Sequence, residues 1–511
     1  MMPRNILLMI ADDLGNYTGS YGVSSVKTPS LDKLASEGVR FTSAFASTAS
    51  CSGSRSTIYT GLHTHENGQY GLNIFKTHFQ TFPHIETAPL LLNHGGYLTG
   101  ILGKVHVGPD EVYPWTWRRE SGSRDVAWVA DQAEEFFQEA KNGSKPFFLT
   151  IGYVDPHRDL TRGGFGNEDP VDGRVQPLDV QLEDVEIPHW LPDLHETCLD
   201  FVQYYKAINR MDQGIGMVLQ ALARQGLADD TLVIFTSDNG PPFINAKTTL
   251  YDAGTRLPMI IRRPGGPSGT TNPNMISFID LLPTLLDWAG LGPGYSLSAV
   301  PSDQRSLLTP GYLLNKQKAD SPPRLGRSFL PILDRTDLLP ESQWQHHVFG
   351  SHTYHELQNY WPTRILRSRR YKYHRNIAWR LDFPFASDLY ASLTFEGVRN
   401  ADPPMIGKRP LKNYLFRPAE ELFDLETDPD EVVNLATDRA YAELLLKLRS
   451  TLEAWQKQTG DLWLLRDGCS VKMLSRYAGE LEVPDRFDID ADDTRTKGVK
   501  LVNPASVGSI A

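Results

Sequence analysis

Asn5-Ile6-Leu7-Leu8-Met9-Ile10-Ala11-Asp12-Asp13 sets an uncharged, largely apolar run directly against two carboxylates. A continuous apolar run this short reads as a strand buried on both faces, the habit of parallel sheets. The change to Asp12-Asp13 places two acids at the strand's carboxyl end, the edge where open α/β sheets bind ligands. Three later runs repeat the arrangement. Tyr97 to Leu102 leads into Gly103-Lys104-Val105-His106, and Phe147 to Val154 leads into Asp155-Pro156-His157-Arg158. Thr231 to Thr236 leads into Ser237-Asp238-Asn239-Gly240. One polar ending would carry little; four converging ones point to a site built from strand ends.

Helical patterns separate these runs. Thr28-Pro29 reads as an N-cap followed by proline at the first helical position, with Leu31, Leu34 and Ala35 as the apolar face and Gly38 as the stop. A long helix is expected from about Asp200 to Gln225, closed by Gly226 in the left-handed conformation. Strand alternating with helix predicts an α/β fold with a large, mostly parallel sheet flanked by helices. From about Val300 to Gln345 the pattern loosens into proline-containing loops. Beyond it, Arg364 to Arg375 reads as one alternating strand and Glu421 to Leu425 as another. An amphipathic helix follows, carrying Leu444, Leu445, Leu448, Leu452 and Trp455 on one face. That predicts a smaller α+β unit, and two domains are expected, 1–360 and 361–511.

A formal net charge of −11 argues against nucleic acid as the main partner, while leaving room for a small anion in a locally positive pocket. Three cysteines, Cys51, Cys198 and Cys469, are too few and odd in number for a disulfide framework, and fit a reducing compartment. The N-terminal apolar run is too short to span a membrane and has no signal-peptide cleavage region, so the expectation is a cytoplasmic protein with no membrane partner.

Cys51-Ser52-Gly53-Ser54-Arg55 begins in a small-residue stretch and runs into a short expected helix. A nucleophile there sits at the positive end of the helix dipole, and Arg55, one turn on, can point at the same place. Taken alone, Cys-x-x-x-Arg is more often a buried structural cysteine beside a surface arginine. Asp12, Asp13, Asp238 and Asn239 change the weighing, because they offer hard oxygen ligands of the kind that suit Ca²⁺ or Mg²⁺.

In chain order, Asp12-Asp13, Cys51 to Arg55, Gly103-Lys104-x-His106, Asp155-Pro156-His157 and Asp238-Asn239-Gly240 resemble the motifs of sulfatases. Leu422-Phe423-Asp424-Leu425-x-x-Asp428-Pro429-x-Glu431-x-x-Asn434-Leu435 resembles that family's C-terminal signature. Gly61 to Leu72, Gly103 to Pro109, Arg210 to Gly214 and Phe349 to Glu356 are similar to the sulfamidase branch, the heparan N-sulfatases. Gly53 stands where the family normally carries proline or alanine.

The resemblance implies an alkaline-phosphatase-like fold with an antiparallel sheet in the C-terminal part. It implies a Cys51 oxidised to formylglycine, whose hydrated diol attacks sulfur and later collapses to release sulfate. It implies one Ca²⁺ per chain, held by Asp12, Asp13, Asp238 and Asn239 with the modified Cys51 completing the shell. Arg55 would orient the diol, Lys104 and Lys247 would hold sulfate oxygens, His106 would be the base of the collapse step, and His157 the acid for the leaving group. Asp155, Arg158, His355 and Glu356 are weaker candidates for sugar recognition, with an Asp155–Arg158 ion pair an equal alternative. The basic Arg364 to Arg375 stretch would touch an anionic oligosaccharide or, more in keeping with its pattern, form a solvated sheet face.

The expected partners are a sulfated sugar and a formylglycine-generating enzyme, and the resemblance suggests a homodimer. The reading preferred is sulfate release from N-sulfated glucosamine or a similar sugar. An O-sulfatase comes next; a phosphodiester or phosphonate hydrolase and a non-catalytic binder of sulfated ligands stay open.

Overall fold

The computed structural model describes residues 5–299 and 320–464. Its large sheet has nine strands among the described residues: β1 (Asn5–Ala11), β2 (Val39–Phe45), β3 (Leu98–Gly103), β4 (Trp117–Glu120), β5 (Phe147–Gly152), β6 (Thr231–Ser237), β7 (Arg256–Arg262), β8 (Thr270–Asn272) and β9 (Ile276–Ser277). Their order is β4-β3-β5-β1-β6-β7-β2-β8, with β9 also pairing β2. The five strands from β4 to β6 run parallel, and β7 is antiparallel to both β6 and β2.

The apolar run that opens the chain lies at the centre of this sheet. Leu7, Met9 and Ala11 belong to one hydrophobic layer and Ile6, Leu8 and Ile10 to the other, as the two-residue period of a strand requires. The first layer holds the helices Val126–Asn142 and His195–Arg224; the second holds Ile58 and Tyr59 of Cys51–Thr60 and the apolar helix Leu281–Trp288. Both faces are covered, so the central strands need no polar side.

The expected helix starts and stops are mostly in place. Helix Pro29–Ser36 begins after Thr28, but the Thr28 hydroxyl makes no cap bond. It instead accepts from Gly19 N at 2.9 Å, and the helix's free Ser30 and Leu31 amides donate to the Asp212 carboxylate at 2.9 and 2.8 Å. A distant carboxylate has displaced the local cap. The long helix starts earlier than expected, at His195, and Gly226 follows it at φ +71°.

A second, antiparallel sheet is formed by β10 (His347–Tyr354), β11 (Tyr360–Ser368) and β12 (Tyr371–Asn376); then come a hairpin of β13 (Met405–Ile406) with β14 (Arg409–Pro410) and the strand β15 (Glu420–Asp424), which pairs β12. The stretch Arg364 to Arg375, expected as one strand, is two, turning between Ser368 and Tyr371. Its face is not solvated: Arg364 and Lys372 are wholly buried, and Arg367 and Lys372 both pair with Asp252. The division expected at 360/361 falls inside β11, just after its first residue Tyr360, and β11 is hydrogen-bonded to β10. β10 is also tied to the large-sheet part of the chain through Ser351 N to Ser47 O at 2.7 Å. By its internal contacts the chain divides into two units, Met1–Leu452 and Glu453–Ala511. In the second, Gln456 donates to Asp461 at 2.8 Å. Among the described residues no helix is long and apolar enough to cross a membrane.

Candidate active site

Cys51 is the first residue of the helix Cys51–Thr60 and is buried. The helix carries it to the carboxyl edge of the large sheet, where β1, β3, β5 and β6 end in Asp12-Asp13, Lys104, Asp155 and Asp238-Asn239. Cys51 Sγ lies 3.9 Å from Asp13 Oδ1. Carboxylate oxygens of Asp12, Asp13 and Asp238 lie within 4.8 Å of one another, all buried. Asn239 Nδ2 donates to Asp13 Oδ1 at 2.6 Å. Two acceptors at this place, Asp12 Oδ1 and Asn239 Oδ1, are buried with no hydrogen-bond partner.

Two cationic groups are threaded through these acids. Arg55 Nε donates to Asp238 Oδ2 at 2.9 Å, and its Nη2 stands 3.8 Å from Asp12 Oδ1. Lys104 Nζ donates to Asp12 Oδ2. Arg55 and Lys104 come so close because β3 and β5 end in glycine. Gly103 sits at φ +79°, and a Cβ on Gly152 would overlap the Lys104 carbonyl and Arg55 Nη1. On the other side, Lys247 Nζ bonds Asp13 Oδ2 at 2.8 Å, His157 Nε2 at 3.0 Å and Asp388 Oδ2 at 2.7 Å.

The electrostatics follow from burial and neighbours. Burial opposes ionisation of Asp12, yet Lys104, His157 and Arg55 outweigh it and hold the carboxyl well below its usual range. Burial and the Asp12 charge push Asp238 up. Burial and the surrounding carboxylates drive the Cys51 thiol well up, so an unmodified cysteine here is a thiol and a poor nucleophile. Burial, with Lys104 nearby, keeps His106 neutral, and its Nδ1 has no partner. Burial and Lys247 lower His157, whose Nδ1 faces the Arg158 carbonyl, leaving Nε2 toward Lys247. Lys247 is raised well above its usual value because Asp13 and Asp388 outweigh the cost of burying it.

The structure thus brings together Asp12, Asp13, Cys51, Arg55, Lys104, His157, Asp238, Asn239 and Lys247, with His106 buried among the same charges. His355 joins them from β10's end: its Nδ1 shares a 2.9 Å hydrogen bond with the hydroxyl of Ser50, which precedes Cys51. The other sugar-binding candidates are engaged elsewhere. Asp155 takes Arg210 in a two-point bond at 2.7 and 2.8 Å and Arg124 as well. Arg158 forks onto Asp200 at 2.9 and 2.9 Å and lies over the rings of Phe165 and Phe243. They do not pair with each other; each serves to fix the loop that carries His157. Glu356 accepts from Gln358 at 2.6 Å and makes no bond to the cluster.

Two contributors, Asp388 and Tyr204, had no signal in the sequence. Asp388 comes from the short helix Ser387–Tyr390, far from any strand end. Tyr204 reaches from the long helix, its hydroxyl bonding the Asp13 carbonyl at 2.8 Å and the Leu14 carbonyl at 2.5 Å. That bond supports Asp13 at φ +65°, a conformation a non-glycine residue adopts only when its surroundings hold it. Ser237 accepts from Leu14 N at 2.9 Å and completes the same turn. Of the cysteines, Cys51 and Cys198 are free thiols; Cys469 lies outside the described residues.

A sequence model of the family described as Sulfatase matches residues 4–291. The chain is 37% identical over 497 residues to human N-sulphoglucosamine sulphohydrolase, covering 93% of this chain and 94% of that protein. Among solved structures, one in complex with its substrate D-glucosamine-2-N,6-O-disulfate superposes with TM-score 0.59 at 21% identity, covering 90% of this chain and 99% of that one. A phosphonate monoester hydrolase of Agrobacterium radiobacter superposes with TM-score 0.60 at 20% identity, covering 89% and 96%. At those identities the two structures establish the fold that the strand pattern predicted.

Proposed function

The chain belongs to the sulfatase family, and from that membership we propose that it is a sulfamidase-like hydrolase releasing sulfate from N-sulfated glucosamine or a closely similar sugar. The observation that carries the reading is Cys51 at a helix N-terminus, facing three buried carboxylates, one amide and two lysines at a single sheet edge. The choice of an N-sulfated sugar is supported by the likeness to the human sulphohydrolase along nearly its whole length.

The residues fit a divalent cation. Three mutually close buried acids and two unpartnered oxygens, on Asp12 and Asn239, are a costly arrangement in a folded chain unless a cation is bound. Their all-oxygen character suits Ca²⁺. Held by Asp12, Asp13, Asp238 and Asn239, the ion would acidify the attacking hydroxyl and draw charge from the sulfuryl oxygens. Conversion of Cys51 to formylglycine by a formylglycine-generating enzyme would supply that hydroxyl, which a thiol driven up by burial cannot replace.

The chain's own residues do the rest. Arg55 balances Asp238 and Asp12 and so fixes the wall behind residue 51. Lys104 and Lys247 flank the nucleophile on opposite sides and bind the sulfate oxygens. His106 is held neutral, as a base for the collapse step must be. His157 presents Nε2 to the leaving group. An anionic sulfate beside Lys247 offsets the cationic push on that ring and favours its protonation.

The test has two readings on protein from its native host. Mass spectrometry of the peptide containing Cys51 is expected to find an aldehyde, and matched N- and O-sulfated glucosamines are expected to lose the N-sulfate preferentially. A plain thiol with no sulfate release moves the protein to the non-catalytic reading. Preferential O-sulfate release makes it an O-sulfatase.

A further inference from the structure

Asp388 is outside every motif of the site, yet its carboxylate stands at the mouth of it. Of the groups around Lys247, the ammonium itself is 1% exposed and Asp13 0%, whereas the side chains of His157 and Asp388 are 28% and 15% exposed. His157 and Asp388 therefore form the solvent-facing edge of the cluster around Lys247. Asp388 Oδ2 is 4.0 Å from His157 Nε2 and 2.7 Å from Lys247 Nζ, and Oδ1 accepts the Leu389 amide at 2.9 Å. The neighbouring amide and the ammonium fix the carboxylate in direction.

We propose that Asp388 is a specificity-determining residue that favours leaving groups carrying positive charge, and so selects amine over alcohol. The inference rests on the proposed sulfamidase reading. In sulfamate cleavage the S–N bond breaks and its electron pair stays on nitrogen. His157, once Lys247 has turned to the sulfate and Nε2 has been protonated, gives that proton to the nitrogen. The deprotonated diol oxygen at residue 51 forms the new S–O bond as the S–N bond breaks. Nitrogen, more basic than a bridging ester oxygen, carries positive charge as it is protonated. A fixed carboxylate beside His157 stabilises that charge where it develops. An ester oxygen leaves without acquiring it and gains little. Asp13 and Asp388 grip Lys247 from two sides, so the donor that can turn to a sulfate oxygen is its third, which bonds His157 Nε2 before the substrate arrives.

The test compares mature wild-type enzyme with Asp388→Asn and Asp388→Glu. Turnover of N-sulfoglucosamine is measured, together with inhibition by glucosamine, which carries the ammonium, and by glucose, which lacks it. The expected results are a kcat at least thirtyfold lower for Asp388→Asn with KM within threefold, and partial recovery in Asp388→Glu. Glucosamine inhibition is expected to weaken at least fivefold in Asp388→Asn, with glucose inhibition unchanged. Turnover within threefold of wild type overturns the proposal. So does lost turnover with glucosamine still preferred over glucose, or a wild type without that preference, since Asp388 then only packs Lys247. Loss of glucose inhibition as well marks a collapsed site, and Asp388→Glu then decides by whether it restores both. A wild type that releases O-sulfate but no N-sulfate ends the sulfamidase reading itself, a result seen before any variant is made.

Discussion

Gly53 illustrates how far single residues in this chain are set by their surroundings. A Cβ there would meet Thr48 Cγ2 at 2.9 Å and Thr64 Cγ2 at 3.2 Å. Neither methyl can swing aside freely. Thr48 Oγ1 bonds His352 Nδ1 at 3.0 Å, and Thr64 Oγ1 donates to the Ser351 carbonyl at 3.0 Å. Gly53→Ala would gain roughly 0.5–1 kcal/mol of helix preference and lose about 1–3 kcal/mol to overpacking. The expected outcome is a net loss of about 1 kcal/mol, read as a lower denaturation midpoint at unchanged slope. A variant as stable as wild type would show that the threonines yield. At this scale legibility depended on position relative to strand ends. Asp12, Asp13, Lys104, His157, Asp238 and Asn239 each follow an apolar run, so hydropathy alone marks them. Asp388 follows Phe385-Ala386-Ser387, a stretch with no such switch, and only the fold brings it to Lys247.

Elements with a local cause were readable, and elements defined by distant partners were not. β1, β5 and β6 are buried on both faces, so a continuous apolar run is their signature. β11 and β12 alternate basic with apolar residues, which looks like a solvated face until Asp252 and Glu431 arrive from other parts of the chain. The turn between them, Ser368-Arg369-Arg370-Tyr371, contains neither glycine nor proline to announce it. β12 also carries His374, buried between the rings of Tyr251 and Phe423, with neither ring nitrogen hydrogen-bonded. Burial, with Lys372 adding to it against Glu421, pushes His374 down to about 3. The unfolded chain binds a proton near pH 6.5 and the folded chain does not until far lower, so the contribution is complete above that pH and is lost as pH falls toward 3. At about 1.4 kcal/mol per pH unit, the loss is roughly 2–3 kcal/mol between pH 6.5 and 4.5. His374→Phe keeps the ring contacts and cannot titrate. Its stability relative to wild type should therefore rise by that amount across the window, measured by urea midpoints at each pH. A constant offset would mean that the imidazole protonates inside the fold.

On the scale of the whole molecule, the site is a meeting of segments hundreds of residues apart: Asp13 N donates to Asp238 Oδ1 at 3.1 Å across the β1–β6 edge. The alternation of strand and helix was enough to predict that meeting, because parallel strands deliver their carboxyl ends to one edge. The division of the chain was less legible. Loosened sequence near 300–345 suggested a boundary, but backbone bonds such as Leu72 N to His355 O at 2.8 Å stitch the antiparallel sheet to the large-sheet part. The convergence has an energetic consequence. Without a cation, the fold must bury Asp12, Asp13 and Asp238 within 4.8 Å of one another, with only Arg55, Lys104 and Lys247 to offset them, and leave Asp12 Oδ1 and Asn239 Oδ1 bare. A cation that binds only the folded chain stabilises it by about 4 kcal/mol at a thousand times its Kd. Chelation is therefore expected to lower the melting temperature by several degrees, and Ca²⁺ to restore it. Asp238→Asn should melt at the same temperature with chelator as with Ca²⁺, because the site has lost one of its three carboxylates. Magnesium provides the control for ion size: it demands near-ideal octahedral geometry, which ligands fixed on separate strand ends are poorly placed to supply, so its restoration should be weaker than that of Ca²⁺. A melting temperature indifferent to chelator and to both ions would place no cation at this edge, and the buried acids would then have to be balanced by Arg55, Lys104 and Lys247 alone.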